Sequence, residues 1–356
     1  MITKVKEYFD YIREGNAIDI EDLRNIFPHF ETLNVEHDNL YHYENIDRHS
    51  ATVANLLETK TNLSLLTAIY HDIGKPVCKK RIEEKDKTTY YGHDLVGAEM
   101  AYNILQEIAS PKTIESVVKI IGQHQSLYSS TNRIGVYKHL KRLGIVEDTL
   151  NVLKADIMAH TNPNLEKFNN ILLDFETFHK ENVVFNYESY NNFPNLINNI
   201  KNDKVAIMLI GSTRSGKTTV RNEILGMLKS SILSADDIRM NDFCVKFDAK
   251  IEPQVWKIHE KYLSTYIKNN ENIIIDNTST IIKSRKAIIS RLKKNGYKII
   301  GIFVEADLKT LCDRALEYNM PISVPIRMFS QLELPDLREG FDYIYEKSNC
   351  YENFVD

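Results

Sequence analysis

Residues 205–220 read VAIMLIGSTRSGKTTV: an unbroken apolar run, a loop bounded by glycines, then a helix-forming stretch. Such a run reads as a strand buried on both faces, and those strands belong to parallel sheets covered by helices. The loop comprises Gly211, Ser212, Thr213, Arg214, Ser215, Gly216, Lys217 and Thr218, a full match to G-x-x-x-x-G-K-[ST]. Glycine permits the tight turn, backbone N–H groups point at phosphate oxygens, and the helix N-terminus adds a favourable partial charge. Lys217 is placed to reach the outer phosphates of ATP or another nucleoside triphosphate, and Thr218 to hold Mg²⁺ through its hydroxyl.

The same grammar continues to the end of the chain. SILS, NIIID and KIIGIFVE are apolar runs set between the helical stretches TTVRNEILGMLK and IIKSRKAIISRLKKN, and FDYIYEKS reads as a last strand. Residues 204–356 are therefore expected to form an α/β domain with a parallel sheet. In SILSADDIRM, Asp236 falls just past a strand, at the sheet edge where ligands of such folds bind. It suits a base that takes the proton of an acceptor hydroxyl, or equally a helix cap. Arg239 could grip an acceptor phosphate with its fork. Asp276, ending NIIID, suits Mg²⁺ or the acceptor, and Arg314 either a lid cation or a solvated surface residue.

The first half has a different character. IDRHSATVANLLE, LSLLTAIYHDIG, HDLVGAEMAYNILQEIA, TIESVVKIIGQHQ and DTLNVLKADIMAH all repeat apolar residues at helical spacing. Ten of the eleven histidines lie in residues 1–203. His49, His71, Asp72, His93, His124 and Asp156 are metal-ligand types sitting within or at the ends of these helices, which an all-α bundle can converge on one interior point. Gly74 and Pro76 end the helix carrying His71 and Asp72, so the adjacent pair can face one site. Mixed nitrogen and oxygen donors suit Mn²⁺, Ni²⁺, Co²⁺, Fe²⁺ or Zn²⁺. Lys75 could steady a substrate phosphate or be an ordinary exposed lysine; His29, His37, His42, His139, His160 and His179 read as non-ligands. The Asn-rich residues 184–203 are the expected linker between this helical, metal-binding region, 1–183, and the α/β domain.

Composition limits the classes. The balance is 23 Lys+Arg to 20 Asp+Glu over residues 204–356 and 22 to 29 over residues 1–203, so neither half is a tight non-specific nucleic-acid binder. Four separated cysteines argue for a reducing cytosol, and the charged N-terminus and absence of a long apolar run for a cytoplasmic protein without membrane contact.

The loop, Asp236-Asp237-Ile-Arg239, IIIDNT around Asp276, Arg314 and Val324-Pro325 together resemble the 5′-hydroxyl polynucleotide kinase family. That resemblance implies Asp236 as general base, Arg239 on the acceptor's phosphate and Arg314 on the donor phosphates. Family lids often carry a second arginine where this chain has Tyr318. The order His49, His71-Asp72, Asp156 resembles the HD phosphohydrolase superfamily, with His93 and His124 as the extra histidines of binuclear members and Asp72 as a bridge. The combination is similar to HD-Pnk type end-healing enzymes. It implies removal of a 2′,3′-cyclic or 3′ phosphate and ATP-dependent phosphorylation of a 5′-OH on RNA or DNA ends, ahead of a separate ligase. Two other readings stay open: a nucleotide-metabolism enzyme pairing an HD nucleotide phosphohydrolase with a small-molecule kinase, and a non-catalytic sensor.

Overall fold

A computed structural model describes residues 1–38, 44–181, 183, 187–200 and 203–348. The chain divides into two compact units, Met1–Val184 with Met320–Gln331, and Phe185–Asn319 with Leu332–Asp356.

The first unit is helical. Ile46–Leu56, Asn62–Tyr70, His93–Leu105, Pro111–Ser129 and Val146–Met158 are the helices expected from the apolar spacing, and a short antiparallel hairpin, Lys80–Ile82 with Lys87–Thr89, is the one paired-strand element among its described residues. Thr61 caps the Asn62–Tyr70 helix by accepting from the Ser64 amide at 2.9 Å. The N-terminal helices anchor the far end of that helix: Tyr70 packs on Phe27, which packs on Phe9, and the Tyr70 hydroxyl donates to the Pro28 carbonyl at 2.9 Å. His71 and Asp72 follow directly, so this aromatic cluster fixes their position.

A segment from the C-terminal part of the chain completes the unit. The Ser323–Gln331 helix packs on His93–Leu105 and Pro111–Ser129. At Gly122 a Cβ would lie 2.3 Å from the Cβ of Ser330, so only glycine allows this approach. Fully buried Lys119 donates to the Ser330 carbonyl at 3.1 Å and Gln123 does so at 2.6 Å, satisfying the end of the incoming helix. The assignment of all of 204–356 to one α/β domain is therefore corrected: residues 320–331 belong to the helical unit, held by apolar and carbonyl contacts that local sequence cannot reveal.

The second unit is a six-stranded, all-parallel sheet. Its order is Glu188–Ser189, Tyr343–Ser348, Lys298–Glu305, Val205–Ile210, Ile273–Ile275, Ser231–Leu233. Along the central strand, Ala206, Met208 and Ile210 enter one apolar cluster and Val205, Ile207 and Leu209 another. Burial of both faces explains the absence of polar alternation in this strand. The expected linker also proves structured where described. Glu188–Ser189 pairs with Tyr343–Ser348, and in the Phe193–Asn199 helix Phe193 and Ile197 join the core beside Val205 and Tyr345. The remainder of that segment, at 184–186 and 201–202, lies outside the described residues, as do His42 and Cys350. Among the described residues no helix is long and apolar enough to cross a membrane.

Candidate active sites

In the helical unit the six expected ligand residues come together. His49 comes from Ile46–Leu56, His71 and Asp72 from the end of Asn62–Tyr70, His93 opens His93–Leu105, His124 lies in Pro111–Ser129 and Asp156 in Val146–Met158. All six are buried. His49 Nε2 is 3.1 Å from Asp156 Oδ1 and 3.7 Å from Asp72 Oδ2. His71 Nε2 is 3.2 Å from Asp72 Oδ2 and 3.7 Å from Asp156 Oδ1. On the other side, His93 Nε2 lies 3.5 Å from Asp72 Oδ1 and 3.2 Å from His124 Nε2. Asp72 thus shows one oxygen to each donor set. Gly74 makes this possible, because a Cβ there would sit 2.2 Å from the His93 carbonyl oxygen.

The donor set fits divalent ions. Two donors bonded at ~2.1 Å to one ion lie roughly 3.0–3.4 Å apart in octahedral or tetrahedral shells, close to the separations found. The ring orientations are set from behind. His71, His93 and His124 each turn Nδ1 to a backbone carbonyl, of Ala68, Tyr90 and Ile121 respectively, at 2.6–2.9 Å. A proton held there leaves Nε2 as the inward lone pair. The buried His71 Nε2 meets no hydrogen-bond partner of acceptable geometry, which a cation would supply. Burial disfavours the His71 imidazolium, but Asp72 and Asp156 outweigh it and its pKa is pushed up to about 10. Burial likewise opposes ionisation of both carboxylates, yet neighbouring His71 and, at Asp72, Lys75 hold each well below the usual range.

Three neighbours join the cluster: Lys75, considered from sequence for a substrate phosphate or as an exposed lysine, and His160 and Tyr128, which were not read as site residues. Lys75 is buried, with Nζ 2.6 Å from Asp72 Oδ2 and 3.3 Å from His37 Nε2. His160, read as a non-ligand, has Nε2 3.7 Å from Asp156 Oδ1 and with His49 and Asp156 forms a further group able to hold a metal. Its i, i+4 spacing from Asp156 was the available signal. Tyr128 donates to Asp156 Oδ2 at 2.9 Å and gave no signal in sequence.

In the second unit the phosphate loop leaves the central strand at its carboxyl end. Gly211, Gly216 and Arg214 have φ of 154°, 104° and 64°. A Cβ on Gly211 would meet the Val304 carbonyl oxygen at 2.4 Å. Lys217 is buried and folds back on the loop, donating to the carbonyls of Gly211 at 3.0 Å and Ser212 at 2.7 Å. Burial lowers its pKa from 10.5 to about 8 against the pull of Asp276 and Asp236. Ser212 Oγ is buried without a partner, in keeping with a loop shaped for phosphate oxygens. Thr213 is half-buried and Thr218 exposed at the first turn of Lys217–Leu225.

Register brings Asp276 beside this loop: Met208 pairs with Ile275, the residue before it. Burial raises the Asp276 pKa, opposed by Arg221 and Lys217. Arg221, which sequence reasoning missed, bridges Asp276 at 3.0 Å and Asp237 at 3.3 Å. Ser234, accepting from the Asp237 amide at 3.1 Å, takes the cap role considered for Asp236. Asp236 is left largely solvent-facing, its side chain 86% exposed, and pairs with Arg239. Arg239 is engaged further, its fork meeting both Glu252 oxygens at 2.7 and 2.8 Å. Arg314 donates to the Arg214 carbonyl at 3.1 Å, and the Arg214 guanidinium lies over the Tyr318 ring.

With these geometries in hand, family likeness is informative. The HD domain model matches residues 41–158 and the AAA domain model residues 207–317. A tRNA dimethylallyltransferase of Hydrogenobaculum sp. (strain Y04AAS1) is 30% identical over 144 residues, 40% of this chain and 46% of that protein. A CC-adding tRNA nucleotidyltransferase of Thermus thermophilus is 28% identical over 95 residues, 26% of this chain and 22% of that protein. The chain spans less than half the length of either curated relative. Among solved structures, the Pnkp1/Rnl/Hen1 complex aligns at 22% identity with a TM-score of 0.28, covering 31% of this chain and 38% of that one. The chain joins an HD domain at residues 41–158 to a P-loop domain of the AAA type at residues 207–317.

Proposed function

We propose that the protein heals broken nucleic-acid ends, phosphorylating a 5′-hydroxyl in the P-loop unit and clearing a 2′,3′-cyclic or 3′ phosphate in the HD unit. The observation that carries this reading is the pairing, on one chain, of a phosphate loop facing a solvent-accessible Asp236 with a buried donor cluster divided across Asp72. A cut that leaves 5′-OH and phosphate-blocked 3′ termini needs both repairs before a ligase can act.

In the kinase unit, Lys217 turns from the loop carbonyls to the outer phosphates of ATP, and Thr218 meets the accompanying Mg²⁺. Asp236 takes the proton of the incoming 5′-hydroxyl, for which its exposed carboxylate is accessible. Arg239 holds the Asp236 carboxylate and Glu252 in place, and releases one of them where it grips an acceptor phosphate. In the HD unit, His49, His71, Asp72 and Asp156 hold one divalent ion, and Asp72, His93 and His124 hold a second. When bound, these ions supply an activated water and neutralise phosphate oxygens. Lys75 lies at the edge of the cluster, close enough to offer its charge to the substrate phosphate as well. The named substrates of both curated relatives are tRNA, which favours RNA ends over free nucleotides.

The direct test offers ATP with a 5′-OH oligonucleotide, a nucleoside 3′-monophosphate and a nucleoside in parallel. Preferential labelling of the oligonucleotide supports the reading. Preference for the nucleoside would instead place the protein in nucleotide metabolism.

A further inference from the structure

Around Asp236 and Arg239 the surface is unusually aromatic. Phe247 is 68% exposed and Trp256 45% exposed. The Arg239 guanidinium lies 5.7 Å from the Phe247 ring centroid, and its Glu252 partner also hydrogen-bonds the Trp256 side chain. Trp256 in turn packs on His259 with ring centroids 5.1 Å apart, and His259 Nε2 contacts Asn277 Nδ2 at 3.0 Å, one residue beyond Asp276. A continuous line of contacts therefore runs from the phosphate end of the site, through buried His259, to two exposed rings.

Lys246, Lys250 and Lys257 are exposed and interleave with those rings along the chain. Asp248 in the same loop is exposed as well, its carboxylate accepting from the Lys250 amide at 2.9 Å. Exposed apolar rings in a soluble domain mark an interaction surface. Rings alternating with ammonium groups match one ligand chemistry in particular, unpaired bases on an anionic backbone. The Trp256 indole is held by its contacts with His259 and Glu252, which favours stacking on its exposed part.

We propose that Trp256 and Phe247 form a base-stacking platform for unpaired nucleotides of the acceptor strand, next to the nucleotide whose hydroxyl Asp236 serves. The lysines meet the backbone phosphates between those bases. This inference rests on the reading of the unit as a polynucleotide kinase, and it makes a single-stranded end the preferred acceptor.

Trp256 is the only tryptophan of the chain, so intrinsic fluorescence reports on it alone. Titrating the full-length protein with a 5′-OH single-stranded oligonucleotide should quench that emission. Trp256→Leu should raise the oligonucleotide KM roughly tenfold, as stacking on one ring commonly does, while Trp256→Phe recovers most of the loss. Placing abasic sites next to the 5′ nucleotide should raise the wild-type KM similarly and add little to Trp256→Leu. ATP-dependent thermal stabilisation verifies that each variant is folded. Unchanged emission and an unchanged KM in Trp256→Leu, with oligonucleotide labelling intact, would overturn the platform and leave the kinase reading standing. Failure of the wild-type protein to label any oligonucleotide would overturn the kinase reading itself.

Discussion

The guanidinium of Arg214 lies over the ring of Tyr318, 4.1 Å from its centroid. Arg214 belongs to the phosphate loop, and Tyr318 ends the Leu308–Glu317 helix that carries Arg314. The loop's arginine is thus held on the aromatic face at the end of that helix, and Arg314 of the same helix donates to the Arg214 carbonyl. A cation–π contact of this kind contributes ~0.5–1 kcal/mol. Tyr318→Ala is expected to raise the KM for ATP about two- to fivefold, the equivalent of that energy. Tyr318→Phe should remain near wild type, and steady-state kinetics with varied ATP reads both.

Lys217 gives the site a pH signature. Its pKa is about 8 when folded against 10.5 ordinarily, because burial disfavours the ammonium. Between those values the unfolded chain holds the proton and the folded chain does not, so Lys217 makes stability rise with pH across that window. Lys217→Met should flatten that part of the curve and raise stability at pH 7 by roughly 2–3 kcal/mol, as measured by urea unfolding. The phosphates of ATP favour the charged form, so nucleotide binding near pH 8.5 should take up a proton. Calorimetry in buffers of different ionisation enthalpy measures that uptake.

In the HD unit, Asp72 serves both donor sets and His124 only one. Metal analysis of the purified protein should give two divalent ions per chain, one in His124→Ala, and neither held tightly in Asp72→Ala. Tyr128→Phe removes a hydrogen bond from Asp156 while leaving every candidate metal-holding side chain in place. Loss of such a support should weaken metal affinity about tenfold, which competition with a chelating dye would register.

The docked segment 320–331 makes a stability prediction. Gly122→Ala forces a Cβ to within 2.3 Å of the Ser330 Cβ, and overpacking of this kind costs about 1–3 kcal/mol. Adding Ser330→Gly should restore most of it, as denaturant midpoints of the double variant would show.

Much of this was legible in the chain. The strands Val205–Ile210 and Ile273–Ile275, and residues 299–304 within Lys298–Glu305, carry no polar side chain because both faces of the sheet are covered, and that survives in sequence as unbroken runs. The convergence of His49, His71, Asp72, His93, His124 and Asp156 could be anticipated because each sits on or beside a helix with apolar spacing. Glu188–Ser189 was not: two exposed polar residues carry no apolar period, and only pairing with Tyr343–Ser348 makes them a strand. Arg221 and Tyr128 act through partners distant in sequence, Asp276 and Asp156, so no local spacing marks them. Segment 320–331 escaped for the same reason, since Lys119, Gly122 and Gln123 lie some two hundred residues earlier.

One substrate tests the central claim, an RNA bearing a 5′-OH at one end and a 2′,3′-cyclic phosphate at the other. Full-length protein with ATP and a divalent transition metal should convert both termini. Lys217→Ala should abolish 5′ labelling by at least about a hundredfold while 3′ processing continues, and Asp72→Ala should do the reverse. Conversion of both ends by either variant at the wild-type rate, or of neither end by the wild-type protein, would contradict the account.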